Sequence, residues 1–399
     1  MNYTILIISS IYLKNHTRDD GDLRMIKYVP YRASKIMNIY KHVDGWFWNK
    51  YSAHPYVGCK YGCEYCYWRD EKYNMLAREK DAQGLDDPFS QYIKVKVNAA
   101  ELLRRELNRL PKDVIVIGDY QPAEARFKLS RAMLEVCLEF GFPVLINEKS
   151  PLVLRDLDLI KKVNNKSWAC VLWSIAHRSS KGYQEFFEPN APTVESRFEA
   201  MGKISKEGIL TGTAFMPILP FICDYDENLE AVVEKTAENG GKFVLAGGLT
   251  MSGAQATRYT QTLRKHYPDL VEKYKQIYDD GYSPKQEYFG SVGKRVKEFC
   301  EKYGVKDRMP RYIQPGELAA NKKVAENLFN ETYYMEIDGA EEYKIWVYRK
   351  AAWVIDELDE DLEAIYKRGG VDGLRVISGI GKQLSKRIAK ELENMNSTK

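Results

Sequence analysis

Five short apolar runs, spaced so that a helical stripe fits between each pair, constrain this chain more than any other feature. They read DVIVIGDY (113–120), PVLINEK (143–149), WACVLWSIA (168–176), ILTGTAFMPIL (209–219) and KFVLAGGL (242–249). Each is nearly continuous in apolar residues, as a strand buried on both faces must be. The segments between them carry helix boundaries: Ser150 as N-cap with Pro151 in the first helical position, and Gly141 just past a stripe of Met133, Val136, Cys137 and Phe140. Strand, helix and parallel strand is the unit these signals describe. One more strand just before Cys59 brings the count to about six, which predicts an α/β fold with a partial (β/α)6 TIM-type barrel; a doubly wound open sheet is the alternative.

The rest of the chain divides by composition. Residues 1–30 read as a loose N-terminal extension, since YTILIISSIYL has no basic flank, no cleavage site and too few residues to span a bilayer. Residues 31–280 hold the barrel pattern, 281–335 an accessory Tyr-rich segment, and 336–399 a compact helical domain. The net charge of +4 over 399 residues is too small to attract polyanions except through local clusters of Lys and Arg. Seven cysteines, an odd number with three of them close together, fit a metal site in a reducing compartment better than a disulfide framework. A cytoplasmic location and no membrane partner follow as expectations, and oligomeric state is not legible.

The three clustered cysteines, Cys59, Cys63 and Cys66, lie in HPYVGCKYGCEYCY (54–67) with the spacing Cys-x3-Cys-x2-Cys. Thiolates so spaced can reach three corners of an iron–sulfur cube, with Gly58 and Gly62 letting the backbone wrap closely around it. One iron would then lack a protein ligand and could bind a small molecule. A structural zinc that borrows His54 or a distant ligand is the other reading.

The loop resembles that of the radical S-adenosylmethionine (SAM) enzymes. Together with GDYQPAEARFKLSRAMLE, FPVLINEKSPLVLRDLDLI, FEPNAPTVESRFEAM, FMPILPFICD and FVLAGGLT, it is similar to the spore photoproduct lyase-like branch of that superfamily. The resemblance implies a [4Fe-4S] cluster on Cys59, Cys63 and Cys66, with SAM on its open iron. It also implies an electron donor such as ferredoxin or flavodoxin, and cleavage of SAM to a 5′-deoxyadenosyl radical. By the same resemblance Tyr65 packs near the adenine, Gly118, Asp119 and Glu124 lie where the SAM amine is contacted, and Ser174 and Arg197 lie where ribose or carboxylate contacts occur. Gly247 and Gly248 would allow close backbone approach to a ligand. The lyase's separate hydrogen-donating cysteine has no counterpart between Cys66 and Cys137. Cys137, Cys170 and Cys300 read as core, and Cys223 is the one spare thiol placed near the barrel mouth, a weak catalytic candidate.

The tail, GGVDGLRVISGIGKQLSKRIAKELE, has two short helical patterns joined by Gly379, Ile380 and Gly381, a helix-hairpin-helix signature. Lys382, Lys386, Arg387 and Lys390 follow that turn and Lys367, Arg368 and Arg375 precede it, which suits sequence-independent contact with a phosphate backbone. Residues 343–393 also resemble the small N-terminal domain of family X DNA polymerases. There a lysine forms a Schiff base with an abasic sugar; Arg387 stands at the matching position and stays protonated. Modification or repair of a nucleic acid, DNA in preference to RNA, is the function this reading implies. The alternatives are a small-molecule or peptide substrate with the tail used for docking, and a non-enzymatic zinc-containing nucleic-acid binder.

Overall fold

The computed structural model describes residues 26–279 and 281–397; the expected N-terminal extension lies outside the described residues as far as residue 25. The strands are β1 (Lys27–Tyr31), β2 (Met37–Ile39), β3 (Tyr51–Ala53), β4 (Tyr56–Val57), β5 (Tyr92–Lys96), β6 (Ile115–Val116), β7 (Val144–Glu148), β8 (Ala169–Ser174), β9 (Leu210–Ile218) and β10 (Val244–Gly248). The helices of nine residues or more are α1 (Ala99–Leu107), α2 (Leu129–Phe140), α3 (Leu157–Lys166), α4 (Val194–Lys206), α5 (Asp226–Glu238), α6 (Gly253–His266), α7 (Gln286–Tyr303), α8 (Ala319–Ile337), α9 (Glu342–Asp356), α10 (Leu362–Arg375) and α11 (Lys382–Ser397).

All five apolar runs contain strands of one seven-stranded sheet, ordered β10-β9-β8-β7-β6-β3-β2. Pairing is parallel except between β2 and β3. The order of the parallel strands never reverses, whereas a doubly wound sheet requires a reversal. Crossovers of one hand in one direction put their helices on one face.

The expected strand immediately before Cys59 is divided in two. Pro55 has no amide hydrogen to continue a ladder, so β3 ends at Ala53 and the chain re-pairs as β4 with β5, in a second sheet ordered β1-β5-β4. Residues 27–31, at the end of the segment expected to be loose, form β1 of that sheet.

Side chains alternate across a strand, and here both faces are buried. Val144, Ile146, Val171 and Trp173 belong to the core shared with α2, α3 and α4. Leu145, Cys170, Leu172 and Leu245, on the other face, belong to a second core that continues through Leu328 and Phe329 of α8 and Ala351 and Ile355 of α9 to Ile388 and Leu392 of α11. The C-terminal helices therefore close the face that the crossover helices leave open. Leu145, Leu172 and Leu245 are fully enclosed, each burial contributing about 1.5–3 kcal/mol. The structure is thus a mixed α/β body with a helical C-terminal region. Helix α10 is broken at Gly370, whose φ of 58° and ψ of −147° lie outside helical space and in a region that glycine tolerates.

Candidate active site

The thiol loop starts from β4, and its first cysteine is fixed by a hydrogen bond from the Cys59 amide to the Phe89 carbonyl at 2.9 Å. Gly58 sits at φ 87°, and a methyl group there would lie 2.9 Å from the carbonyl oxygens of Phe89 and Tyr92. Arg69 ties the loop from within, donating to the Cys63 carbonyl at 2.9 Å and the Gly62 carbonyl at 2.7 Å while pairing with Asp87 at 2.8 Å. Cys63 is buried and Cys59 and Cys66 are half-buried. Burial pushes all three thiols up, Cys63 to about 12, while Lys149 favours the Cys63 thiolate and Arg69 the Cys66 thiolate. Among the described residues no group of three or more His, Cys, Asp or Glu is gathered as a single metal ion would require.

Three expected site residues, Tyr65, Ser174 and Arg197, converge on Glu188 and Lys149, which sequence reasoning had not singled out. The Tyr65 hydroxyl and an Arg197 Nη both donate to the Glu188 carboxylate. The Lys149 ammonium lies 3.0 Å from Glu188, 3.0 Å from the Tyr65 hydroxyl and 2.6 Å from Ser174 Oγ. Burial alone would raise the Glu188 carboxyl, but Arg197 and Lys149 outweigh it and hold it down at about 2. Arg197 is fully enclosed, its other donors occupied by the carbonyls of Pro192 and Ser174. It acts by positioning Glu188 and has little left with which to meet a ligand.

At the end of β6, Asp119 adopts a φ of 73°, unusual for a residue with a side chain, and its carboxylate is 3.3 Å from His54 Nδ1. Beside it a Cβ on Gly118 would meet Glu148 Oε1 at 3.1 Å. Burial raises the Glu148 carboxyl to about 7, against the Tyr120 amide, which lowers it, and with the Asp119 charge, which adds to the rise. Glu124 is separate from this group. Its oxygens accept from the Tyr56 hydroxyl at 2.6 Å, the Ser130 amide at 2.9 Å and Arg155 at 2.6 Å, so it serves to join β4 and α2. Cys223 is fully buried, its thiol pushed up by burial, and lies in the core with α5.

Gly247 and Gly248 border a cavity of about 1000 Å³ at the carboxyl ends of β9 and β10, walled on its far side by α8 and α9. In the hairpin, Gly379 has a φ of 80°, Ile380 is buried in the second core, and Gly381, Lys382 and Lys386 are exposed. Of the cations noted from sequence, Arg387 pairs with Glu331 and, at 2.7 Å, with Glu391. Arg368 pairs with Glu360 at 2.7 Å, Arg375 with Asp372 at 3.1 Å and Lys367 with Glu363 at 3.7 Å. Lys382, Lys386 and Lys390 are left without an ion pair among the described residues.

Residues 319–396 match the family described as "Helix-hairpin-helix domain", which includes α8 and so begins before the boundary at 336 drawn from composition. An uncharacterized protein of Mycobacterium tuberculosis is 27% identical over 260 residues, 64% of this chain and 74% of that protein. An uncharacterized protein of Methanocaldococcus jannaschii is 28% identical over 204 residues, 50% of this chain and 71% of that one. Among solved structures, spore photoproduct lyase with bound AdoMet and dinucleoside spore photoproduct superposes with a TM-score of 0.50 at 17% identity, covering 70% of this chain and 80% of that one. A second lyase variant gives 0.50 at 18%, covering 70% and 81%. The chain therefore has a body with the fold of spore photoproduct lyase, joined to a helix-hairpin-helix domain.

Proposed function

We propose that this protein is a radical SAM enzyme acting on a nucleic acid, with its parallel sheet serving as a partial (β/α)6 barrel. The observation that carries the reading is the position of Cys59, Cys63 and Cys66 in one tightly held loop, beside the Lys149–Glu188 network. The donor set fits an iron–sulfur cluster. Buried thiols whose ionisation is disfavoured bind as thiolates only when a metal compensates their charge, and Lys149 and Arg69 are placed to help. A structural zinc site normally takes four protein ligands, often as two paired-cysteine knuckles, and this loop supplies three cysteines with no second pair in the sequence.

When bound, the cluster and SAM would supply an electron and a carbon-centred radical, with a ferredoxin- or flavodoxin-type donor as the source of the electron. The chain's own task is placement and exclusion of water. Glu188, held ionised by Arg197 and Lys149, accepts from the Tyr65 hydroxyl and so fixes that ring within the thiol loop. Lys149 stands where it favours the Cys63 thiolate and donates to Ser174 Oγ. Asp119 and His54 present polar groups at the end of β6, where an ammonium would find a carboxylate. Lys382, Lys386 and Lys390 give the hairpin a cationic edge for a phosphate backbone.

A second reading, a small-molecule or peptide substrate, draws support from the burial of α8 and α9 against the sheet, which gives the hairpin domain a structural role of its own. The test is oxygen-free reconstitution followed by reduction with SAM in the presence of oligonucleotides. Iron and sulfide on the protein, lost in Cys59→Ala, and 5′-deoxyadenosine whose yield rises with the oligonucleotide are expected. Colourless protein with stoichiometric zinc would refute the cluster. An oligonucleotide-independent yield, with DNA affinity unchanged in Lys382→Glu/Lys386→Glu, would favour the second reading.

A further inference from the structure

The cavity beyond Gly247 and Gly248 has the chemistry of a base-binding surface. Two of its aromatic residues are exposed, Trp346 by 40% and Tyr282 by 50%. Arg349 lies 5.2 Å over the Trp346 ring and pairs with Glu336. Arg308, on the same wall, is only 6% exposed, with Tyr333 and Trp46 rings 4.5 and 4.9 Å away. It donates to the Gly45 carbonyl and to Asn330, but its Nη1 has no partner, and a buried donor without an acceptor is costly. Two guanidiniums are thus set against the three carboxylates of Asp44, Glu336 and Glu342. That balance disfavours a free phosphate and suits a neutral ring that both donates and accepts hydrogen bonds.

The cavity also adjoins the thiol loop. Lys72, in the segment that follows the loop, lies 5.2 Å over the Tyr282 ring. A hydrogen-bonded chain runs from the Tyr65 hydroxyl through Lys149 and Ser174 to the Met216 carbonyl, its last link 3.3 Å, and Met216 lines the cavity.

We infer that this cavity receives one unstacked nucleobase of a DNA substrate, so that the hairpin domain forms one wall of the substrate site as well as gripping the backbone. The inference rests on the nucleic-acid reading above. A base must leave its stack before chemistry can reach it, and an exposed indole is a platform on which any base can stack.

The experiment uses the full-length protein and single-stranded deoxyoligonucleotides carrying 2-aminopurine, whose fluorescence is quenched on stacking. Quenching at saturation by the wild type, abolished in Trp346→Ala with affinity weakened roughly 5- to 150-fold and largely restored in Trp346→Phe, is expected. Lys382→Glu/Lys386→Glu should weaken binding while leaving the quenching at saturation intact. Tight binding with quenching unchanged in Trp346→Ala overturns the inference and leaves the nucleic-acid reading standing. Absence of any association by the wild type at low salt overturns both.

Discussion

Replacing Glu148 by Gln should make the protein more stable, by an amount that grows between pH 4.5 and about 7 and is constant above that. The carboxyl lies at the end of β7 with 7% of its surface exposed, and burial raises it from 4.5 to about 7. The folded state therefore binds its proton more tightly than the unfolded state does. The associated stability is complete below pH 4.5 and is lost as the pH climbs through 7. That interval, at about 1.4 kcal/mol per pH unit, comes to about 3 kcal/mol. Glutamine keeps the oxygen that accepts from the Tyr120 amide at 2.7 Å and has no charge to desolvate. Urea unfolding of both proteins from about pH 4.5 to about pH 8.5 measures the effect: midpoints should coincide at the acid end and diverge progressively, with the Glu148→Gln variant the more resistant. Curves that stay parallel, or a variant weaker at the alkaline end, would show that the carboxylate is ionised at little cost and refute the reasoning.

Arg197→Met should destabilise the fold by about 3–5 kcal/mol, because it leaves Glu188 a buried charge with one partner removed; chemical denaturation reads this, and adding Glu188→Gln should recover part of the loss. Gly58→Ala forces a positive φ on a residue with a Cβ and drives that atom against two carbonyl oxygens. Reconstituted protein should hold markedly less iron while its far-ultraviolet circular dichroism is retained. Cys223→Ala should leave iron content and 5′-deoxyadenosine formation unchanged, since the thiol is enclosed in the core; loss of either would give it a role in the chemistry. Each of Lys382→Gln and Lys386→Gln should lower the slope of log affinity for DNA against log salt by about one, measured by fluorescence anisotropy.

The parallel strands were legible because burial on both faces leaves a continuous apolar run, and the caps at Ser150 and Gly141 were legible because each follows from local backbone chemistry. Ser150 Oγ accepts from the Leu152 amide, and Gly141 ends α2 at a φ of 68°. The strand expected just before Cys59 is present as β4, but its separation from β3 into another sheet was marked by nothing except Pro55. The network around Glu188 was legible only in part. Its members Tyr65, Lys149, Ser174, Glu188 and Arg197 come from separate elements, and nothing local marks Lys149 or Glu188 as more than polar residues after a strand or in a turn. Arg197 and Glu124 were recognised as charges near the site, but the partners that occupy them, near ones such as Pro192 and Ser130 and far ones such as Tyr56, carry no local signal that they do so. The docking of the C-terminal helices onto the sheet was hidden for another reason. Helix α8 buries Asn321, Val324, Ala325, Leu328, Phe329, Thr332 and Tyr333 along one face, but Asn321 and Thr332 set polar side chains into it, so it does not read as an apolar stripe.

The second core has a consequence for how the chain comes to exist. Leu145, Leu172 and Leu245 leave the ribosome well before the helices that cover them, and domains fold in the order they are synthesised. A nascent α/β body must therefore persist for a time with one side of its sheet bare and adhesive. Until its C-terminal helices emerge it is a natural client for a chaperone, and its yield on expression should depend on how quickly that final stretch is translated.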